Sequence, residues 1–129
     1  MNTTARISAL MVVLMGTALF AHHSFAAFDM EKTSTLNGVV KEFQWKNPHS
    51  WIQLMVKDAS GKEVEWSLET GSPSSLMRRG WKPKALKFGD RISVTMHPLR
   101  DGRPGGSLID VMMADGTKIG GNPAGELNR

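Results

Sequence analysis

The chain has no cysteine and no tyrosine among its 129 residues. Without cysteine it can form no disulfide, no thiolate metal site and no cysteine nucleophile. The usual motifs of serine catalysis are absent as well, because neither Gly-x-Ser-x-Gly nor Ser-x-x-Lys occurs. The glycine-rich segment 102–106 is not followed by Lys and Ser or Thr, so it does not match a phosphate-binding loop. The side chains left for soft chemistry are four histidines.

Residues 1–21 have the composition of a secretory signal peptide. Their apolar stretch, residues 7–20, is shorter than the ~20 apolar residues that a membrane span needs. We therefore expect a periplasmic or secreted protein that keeps no stable membrane anchor once the signal is cleaved after Ala21. Cleavage after Ala18 would fit the small-residue rule better. Cleavage after Ala26 also fits that rule but would remove the two histidines that follow Ala21.

Removal of the signal peptide leaves a mildly basic chain. It takes away Arg6 and no acidic residue, so 15 Lys and Arg face 12 Asp and Glu. This small excess gives no reason to expect a nucleic acid partner. The remaining length of about 108 residues suits one domain with one small core. We divide it into an N-terminal arm at 22–34, a domain at 35–120 and a disordered tail at 121–129.

The domain has the pattern of an all-β fold with one short helix. Alternating or β-rich segments, bounded by turn residues, predict strands at 36–45, 51–58, 63–69, 91–97 and 108–113. Segment 72–80 predicts a helix, with Ser72 as N-cap, Pro73 at the first position and Gly80 at the end. One helix between the third and fourth of five strands is typical of a small OB-like Greek-key barrel. A five-stranded sandwich is the alternative.

Eight apolar positions of these strands are expected to form the core. They are Val39, Ile52, Leu54, Val64, Leu68, Ile92, Val94 and Val111. No strand carries paired inward carboxylates, so acid–base catalysis has no visible location. We therefore expect a binding module rather than an enzyme.

The histidines predict a metal site, with copper as the expected ion. The candidate ligands are His22, His23, His49 and His97. Neutral imidazole suits Cu(II), Ni(II) and Zn(II), and Cu(II) binds most strongly in this series. A chain that begins at His22 offers its amine and one imidazole as a chelate, and one that begins at Ala21 places His23 third, as a square-planar site requires. The simpler interpretation is that His49 caps a turn and His97 is a surface residue.

Aromatic and arginine side chains form a second candidate site. Its residues are Trp45, Trp51, Trp81, Arg78 and Arg79. Such a face can bind a small organic ligand or a periplasmic protein partner. A third hypothesis is a copper-dependent oxidase, which would need an open coordination position and a substrate surface that nothing in the sequence specifies.

Several strings together resemble a family of small exported bacterial proteins of unknown function. They are HHSFAA at 22–27, WKNPHSW at 45–51, LETGSP at 68–73, RRGW at 78–81 and the Gly89-Asp90 pair. The resemblance covers roughly residues 20–120. It implies export and a β-rich fold, and it implies no established activity. Because His22, His23 and His49 lie in these strings, it favours them over His97 as ligands.

Overall fold

The computed structural model describes residues 26–120. The predicted signal peptide, the histidines at 22 and 23, and the predicted tail at 121–129 lie outside the described residues. Within 26–120, no helix is long and apolar enough to cross a membrane.

Six strands and one short helix make up the described domain. The strands are β1 (Ser34–Gln44), β2 (Trp51–Lys57), β3 (Glu63–Glu69), β4 (Arg91–Pro98), β5 (Gly105–Met113) and β6 (Lys118–Gly120). The helix, α1, spans Pro73–Arg78. It begins where the sequence predicts, because the Ser72 side chain accepts a hydrogen bond from the Ser75 backbone N–H and Pro73 occupies the first position.

Five of the strands close into a barrel. Strand β1 pairs with β2 along one part of its length and with β4 along the other, β2 pairs with β3, and β4 pairs with β5, all antiparallel. The circle is completed by a parallel pairing of β3 with β5, and β6 adds to the free side of β5. This strand order, with α1 between β3 and β4, confirms the predicted OB-like barrel.

The parallel closure depends on two glycines at the start of β5. Ser67 pairs with Gly105 and Leu68 pairs with Gly106. A Cβ atom on Gly106 would lie 2.5 Å from both the His97 carbonyl oxygen and the Met96 sulfur. Only glycine therefore lets the backbones of β4 and β5 approach this closely. On the β3 side, a Cβ atom on Gly105 would lie 3.0 Å from the Ser67 carbonyl oxygen. The sequence analysis placed these residues in a connection, so β5 begins three residues earlier than predicted.

The barrel core contains most of the predicted positions. Ile52, Leu54, Leu68, Ile92, Val94 and Val111 are buried, as expected. The prediction that Val39 lies in the core is wrong, because Val39 is half-buried whereas its neighbour Val40 is fully buried. Two adjacent valines do not reveal which one faces inward, and a register shift between Val40 and Glu42 interrupts the alternation further along β1. Val64 is also only half-buried.

Replacing Gly106 with alanine is expected to destabilise the barrel by roughly 1–3 kcal/mol or more, because the added methyl group overlaps a backbone oxygen that cannot move away. Urea unfolding followed by tryptophan fluorescence measures this loss. The matched control is Gly120→Ala, since nothing lies within 4 Å of a Cβ at that position. Equal stability of the two variants would contradict this account of the closure.

Candidate functional site

A row of four paired residues crosses the outer face of the barrel at one end. In the order β2, β3, β5 and β4, it consists of Trp51, Glu69, Ser107 and His97. Directly paired residues lie on the same face of a sheet. Since Leu68 and Met96, next to the row, are fully buried in the core, the row faces outward. Glu69 and Ser107 are nevertheless buried, which makes this part of the surface unusual.

The loop between β1 and β2 places His49 against this row. The loop is joined to the end of β3 because the Ser50 N–H donates to the Gly71 carbonyl at 2.9 Å and the Thr70 N–H donates to the Ser50 carbonyl at 2.9 Å. The Thr70 hydroxyl donates to the same Ser50 oxygen at 3.1 Å. His49, one residue earlier, is thereby held beside Glu69 and Thr70.

The His49 ring is held through one nitrogen. Its Nδ1 lies 3.1 Å from the Thr70 carbonyl oxygen and 3.5 Å from Oε1 of Glu69. A carbonyl oxygen only accepts hydrogen bonds, so Nδ1 must carry the hydrogen that it donates. In the neutral ring, Nε2 then keeps its lone pair. The side chain is 28% exposed, which leaves the ring accessible from solvent.

His97 has a similar arrangement on the opposite side of the row. Its Nδ1 lies 2.7 Å from the carbonyl oxygen of Lys32. The same reasoning assigns the hydrogen to Nδ1 and the lone pair to Nε2. The strand spacing of ~4.8 Å puts the backbones of Glu69 and His97, two strands apart, roughly 10 Å from each other. His97 therefore forms one end of the row, and His49 lies beside Glu69 nearer the other end.

The described part of the N-terminal arm packs beside His97. The Asp29 N–H donates to the Pro98 carbonyl and the Arg100 N–H donates to the Ala27 carbonyl, both at 2.8 Å. Phe28 forms an isolated bridge with Leu99, and its side chain is buried. The arm thus adds a short strand-like segment to the connection between β4 and β5. This contact holds Ala27 and Phe28 beside the end of the barrel that carries the row.

Burial raises the pKa of the Glu69 carboxyl above its usual value, and the charge of a protonated His49 opposes part of that shift. The side chain of Glu69 is only 9% exposed. The carboxyl therefore favours its neutral form in the folded protein more than in the unfolded chain. His49 is the one ion-pair partner found for it among residues 26–120.

The second predicted site does not form one open surface. Trp81 is buried in the core, where its indole N–H donates to the Gly120 carbonyl and its ring packs 5.6 Å from that of Phe43. Trp45 is half-buried and stacks edge-on against Phe43. Trp51 belongs to the outer row beside Glu69. Only Arg78 and Arg79, at the end of α1, are exposed.

A groove of about 510 Å³ lies elsewhere, on the outer face of β1. Its apolar lining includes Val39, Met55 and Met112, and its charged lining residues are Lys57, Glu63 and Arg91. None of the predicted site residues that lie within 26–120 lines it. Within residues 26–120, no group of three or more His, Asp or Glu side chains is arranged to hold a metal ion.

The sequence analysis did not identify Glu69 as part of the site. The predicted fold could have shown that Glu69 lies near His49. In an OB-like barrel the β1–β2 loop and the end of β3 meet because β2 and β3 are antiparallel neighbours. Glu69 at the end of β3 is therefore opposite Trp51, two residues after His49.

The fold and the row of side chains define a small OB-like barrel with a histidine-bearing rim. The chain belongs to a family of unknown function, DUF6152, whose match covers residues 9–108. No curated protein and no solved structure matches the chain.

Replacing Glu69 with glutamine should stabilise the metal-free protein more at pH 8 than at pH 4. Folding raises the pKa of Glu69, so the folded protein is favoured when this carboxyl is neutral. The stabilisation is present below the unfolded-state pKa of about 4.3 and is lost as the pH rises through the folded-state pKa. Glutamine stays neutral throughout. Urea unfolding at both pH values, in the presence of a chelator, measures the difference.

The control for this prediction is Glu63→Gln, at an exposed position. It should change the free energy of unfolding by the same small amount at both pH values. A Glu69→Gln effect that does not depend on pH would show that the carboxyl titrates normally in the folded protein.

Proposed function

We propose that the protein is a periplasmic metal-binding module, with copper as its ion and His49 as a central ligand. The observation that carries the proposal is the orientation of His49 by the Thr70 carbonyl and the Glu69 carboxylate. Histidines that bind metals usually donate their other ring N–H to a carbonyl or a carboxylate, which sets the tautomer and the direction of the free nitrogen. Nδ1 of His49 donates to the Thr70 carbonyl and lies 3.5 Å from the Glu69 carboxyl, so Nε2 is the nitrogen left for a metal.

The N-terminal histidines supply the remaining ligands in this proposal. Three residues separate His23 from Ala27, so an extended chain of four Cα–Cα steps places His23 at most ~14 Å from Ala27. The arm is anchored beside His97, and the backbones of the row span roughly 10 Å from there to Glu69. These lengths are compatible with a site shared by His49, His22 and His23. His97 then serves chiefly to hold the arm through the Lys32 carbonyl.

The donor set favours copper over other ions. Imidazoles combined with an N-terminal amine bind Cu(II) most strongly among the divalent first-row metals. Export with cleavage after Ala18 or Ala21 would retain both N-terminal histidines, and cleavage after Ala21 would also free an amine beside them. The function is then sequestration or handover of the ion, with no bond made or broken in a substrate.

The proposal predicts that protein recovered from the periplasm carries one copper and begins at or before His22. Native mass spectrometry with and without added Cu(II) gives both the start and the stoichiometry. Replacing His49 with alanine should weaken Cu(II) binding at least tenfold, because the loss of even a residue that only orients a metal ligand typically costs 10–100-fold in affinity. Competition with a chelator of known affinity measures the change.

The matched control is Lys62→Ala in the β2–β3 hairpin, far along the sheet from the row. It should leave Cu(II) affinity unchanged. A chain that begins at Ala27, or an intact arm that binds no copper, would refute the proposal. Unchanged Cu(II) affinity in His49→Ala would show that the barrel contributes no ligand and that only the N-terminal residues bind the ion.

A second candidate function is the binding of a small organic anion in the groove over β1. The volume of about 510 Å³ lies within the range of ligand sites. The apolar Met55 and Met112 would contact the body of such a ligand, and Arg91 its charge. This candidate predicts that a fluorescent fatty-acid probe binds, and that Arg91→Ala weakens its binding about tenfold while Arg103→Ala does not. If the probe does not bind, this second candidate function is wrong.

A further inference from the structure

The charge of the chain is concentrated in one segment. Residues 70–89 contain no Asp or Glu and five cations: Arg78, Arg79, Lys82, Lys84 and Lys87. The rest of the chain carries 11 Lys and Arg against 12 Asp and Glu, so this segment accounts for the whole positive balance. An average over the sequence conceals this asymmetry. We refer to residues 70–89 as the basic segment.

Exposed apolar side chains lie among these charges. Phe88 is 84% exposed and Met77 is 56% exposed. They are two of the three large apolar residues that are exposed in the described part of the chain, the third being Met112 at 41%. All five cationic residues of the basic segment are exposed as well. A surface that combines cations with projecting apolar groups is characteristic of proteins that lie on membranes.

The basic segment is firmly attached to the barrel. Leu76, Trp81 and Leu86 are buried in the core, and the Trp81 N–H donates to the Leu76 carbonyl at 3.0 Å. Beyond Phe88, the Gly89 N–H donates to the Val40 carbonyl at 2.8 Å. The exposed residues therefore project from a structured scaffold, and little conformational entropy would be lost when they bind a surface.

We propose that the basic segment docks peripherally on a bilayer that carries anionic headgroups. The five cations would be attracted by the negative surface potential. Phe88 and Met77 would insert among the headgroups and the upper acyl chains. Charge complementarity alone would also suit a nucleic acid, but Met77 offers no ring on which a base could stack. The lipid surface accounts for both kinds of exposed side chain.

This inference concerns residues other than the histidine-bearing rim. It does not depend on whether the protein binds copper, because none of the exposed cationic or apolar side chains of the basic segment belongs to the proposed metal site. A docked orientation would place a copper-binding module next to a membrane. Handover of an ion to a membrane-bound acceptor is the kind of process that such an orientation serves.

The test is co-sedimentation with vesicles of phosphatidylcholine alone or with about one third phosphatidylglycerol. The parent protein should partition onto the anionic vesicles at least tenfold more strongly, and raised salt should weaken this binding. Two variants, Phe88→Ser and the double change Lys82→Glu with Lys84→Glu, should each reduce partitioning at least fivefold. All three positions are exposed, so folding should be preserved, which circular dichroism checks.

The matched controls change the same residue types elsewhere. Met112→Ser replaces the third exposed apolar residue, and Lys57→Glu with Lys62→Glu alters the β2–β3 hairpin. Both should partition like the parent. The N-terminus is the same in every variant, so any affinity of the first residues for lipid cancels in the comparison. Absence of binding, equal binding to neutral vesicles, or equal loss in the controls would overturn the proposal, as would binding of single-stranded DNA without binding of vesicles.

Discussion

The rest of the structure depends on the parallel pairing of β3 with β5. It is the contact that converts a curved sheet into a closed barrel, and it leaves little room at Gly105, where a Cβ atom would lie 3.0 Å from the Ser67 carbonyl oxygen. The same pairing sets Glu69 beside Ser107, and Ser107 beside His97. One steric constraint therefore determines both the fold and the alignment of the outer row.

The barrel end gains its chemical character from a carboxyl that is buried on the outer face. Glu69 is neither part of the apolar core nor free in solvent, and burial raises its pKa. His49 is the group that the loop brings to it. A buried carboxyl of this kind costs stability at neutral pH unless a hydrogen-bonded partner compensates for it. Its presence is most simply understood if orientation of His49 serves a function.

The fold could be predicted from the sequence because it rests on local patterns. Alternation along the strands, the turn residues, and Ser72 and Pro73 at the start of α1 are all visible in short windows. The site could be predicted only in part. His49 was recognised, but its contacts with Glu69 and Thr70 link residues about 20 positions apart and require the register of β2 and β3. The burial of Trp81 and the placing of Val40 rather than Val39 in the core likewise follow from tertiary packing.

The most direct test of the central claim is the protonation of the histidine ring nitrogens. A long-range ¹H–¹⁵N correlation spectrum of the ¹⁵N-labelled protein at about pH 8 distinguishes the two neutral tautomers. We expect His49 to carry its hydrogen on Nδ1, and addition of Zn(II), a diamagnetic divalent substitute for Cu(II), to shift the Nε2 resonance. A hydrogen on Nε2, or an Nε2 resonance that does not respond to the metal, would contradict the claim that Thr70 and Glu69 prepare His49 as a ligand.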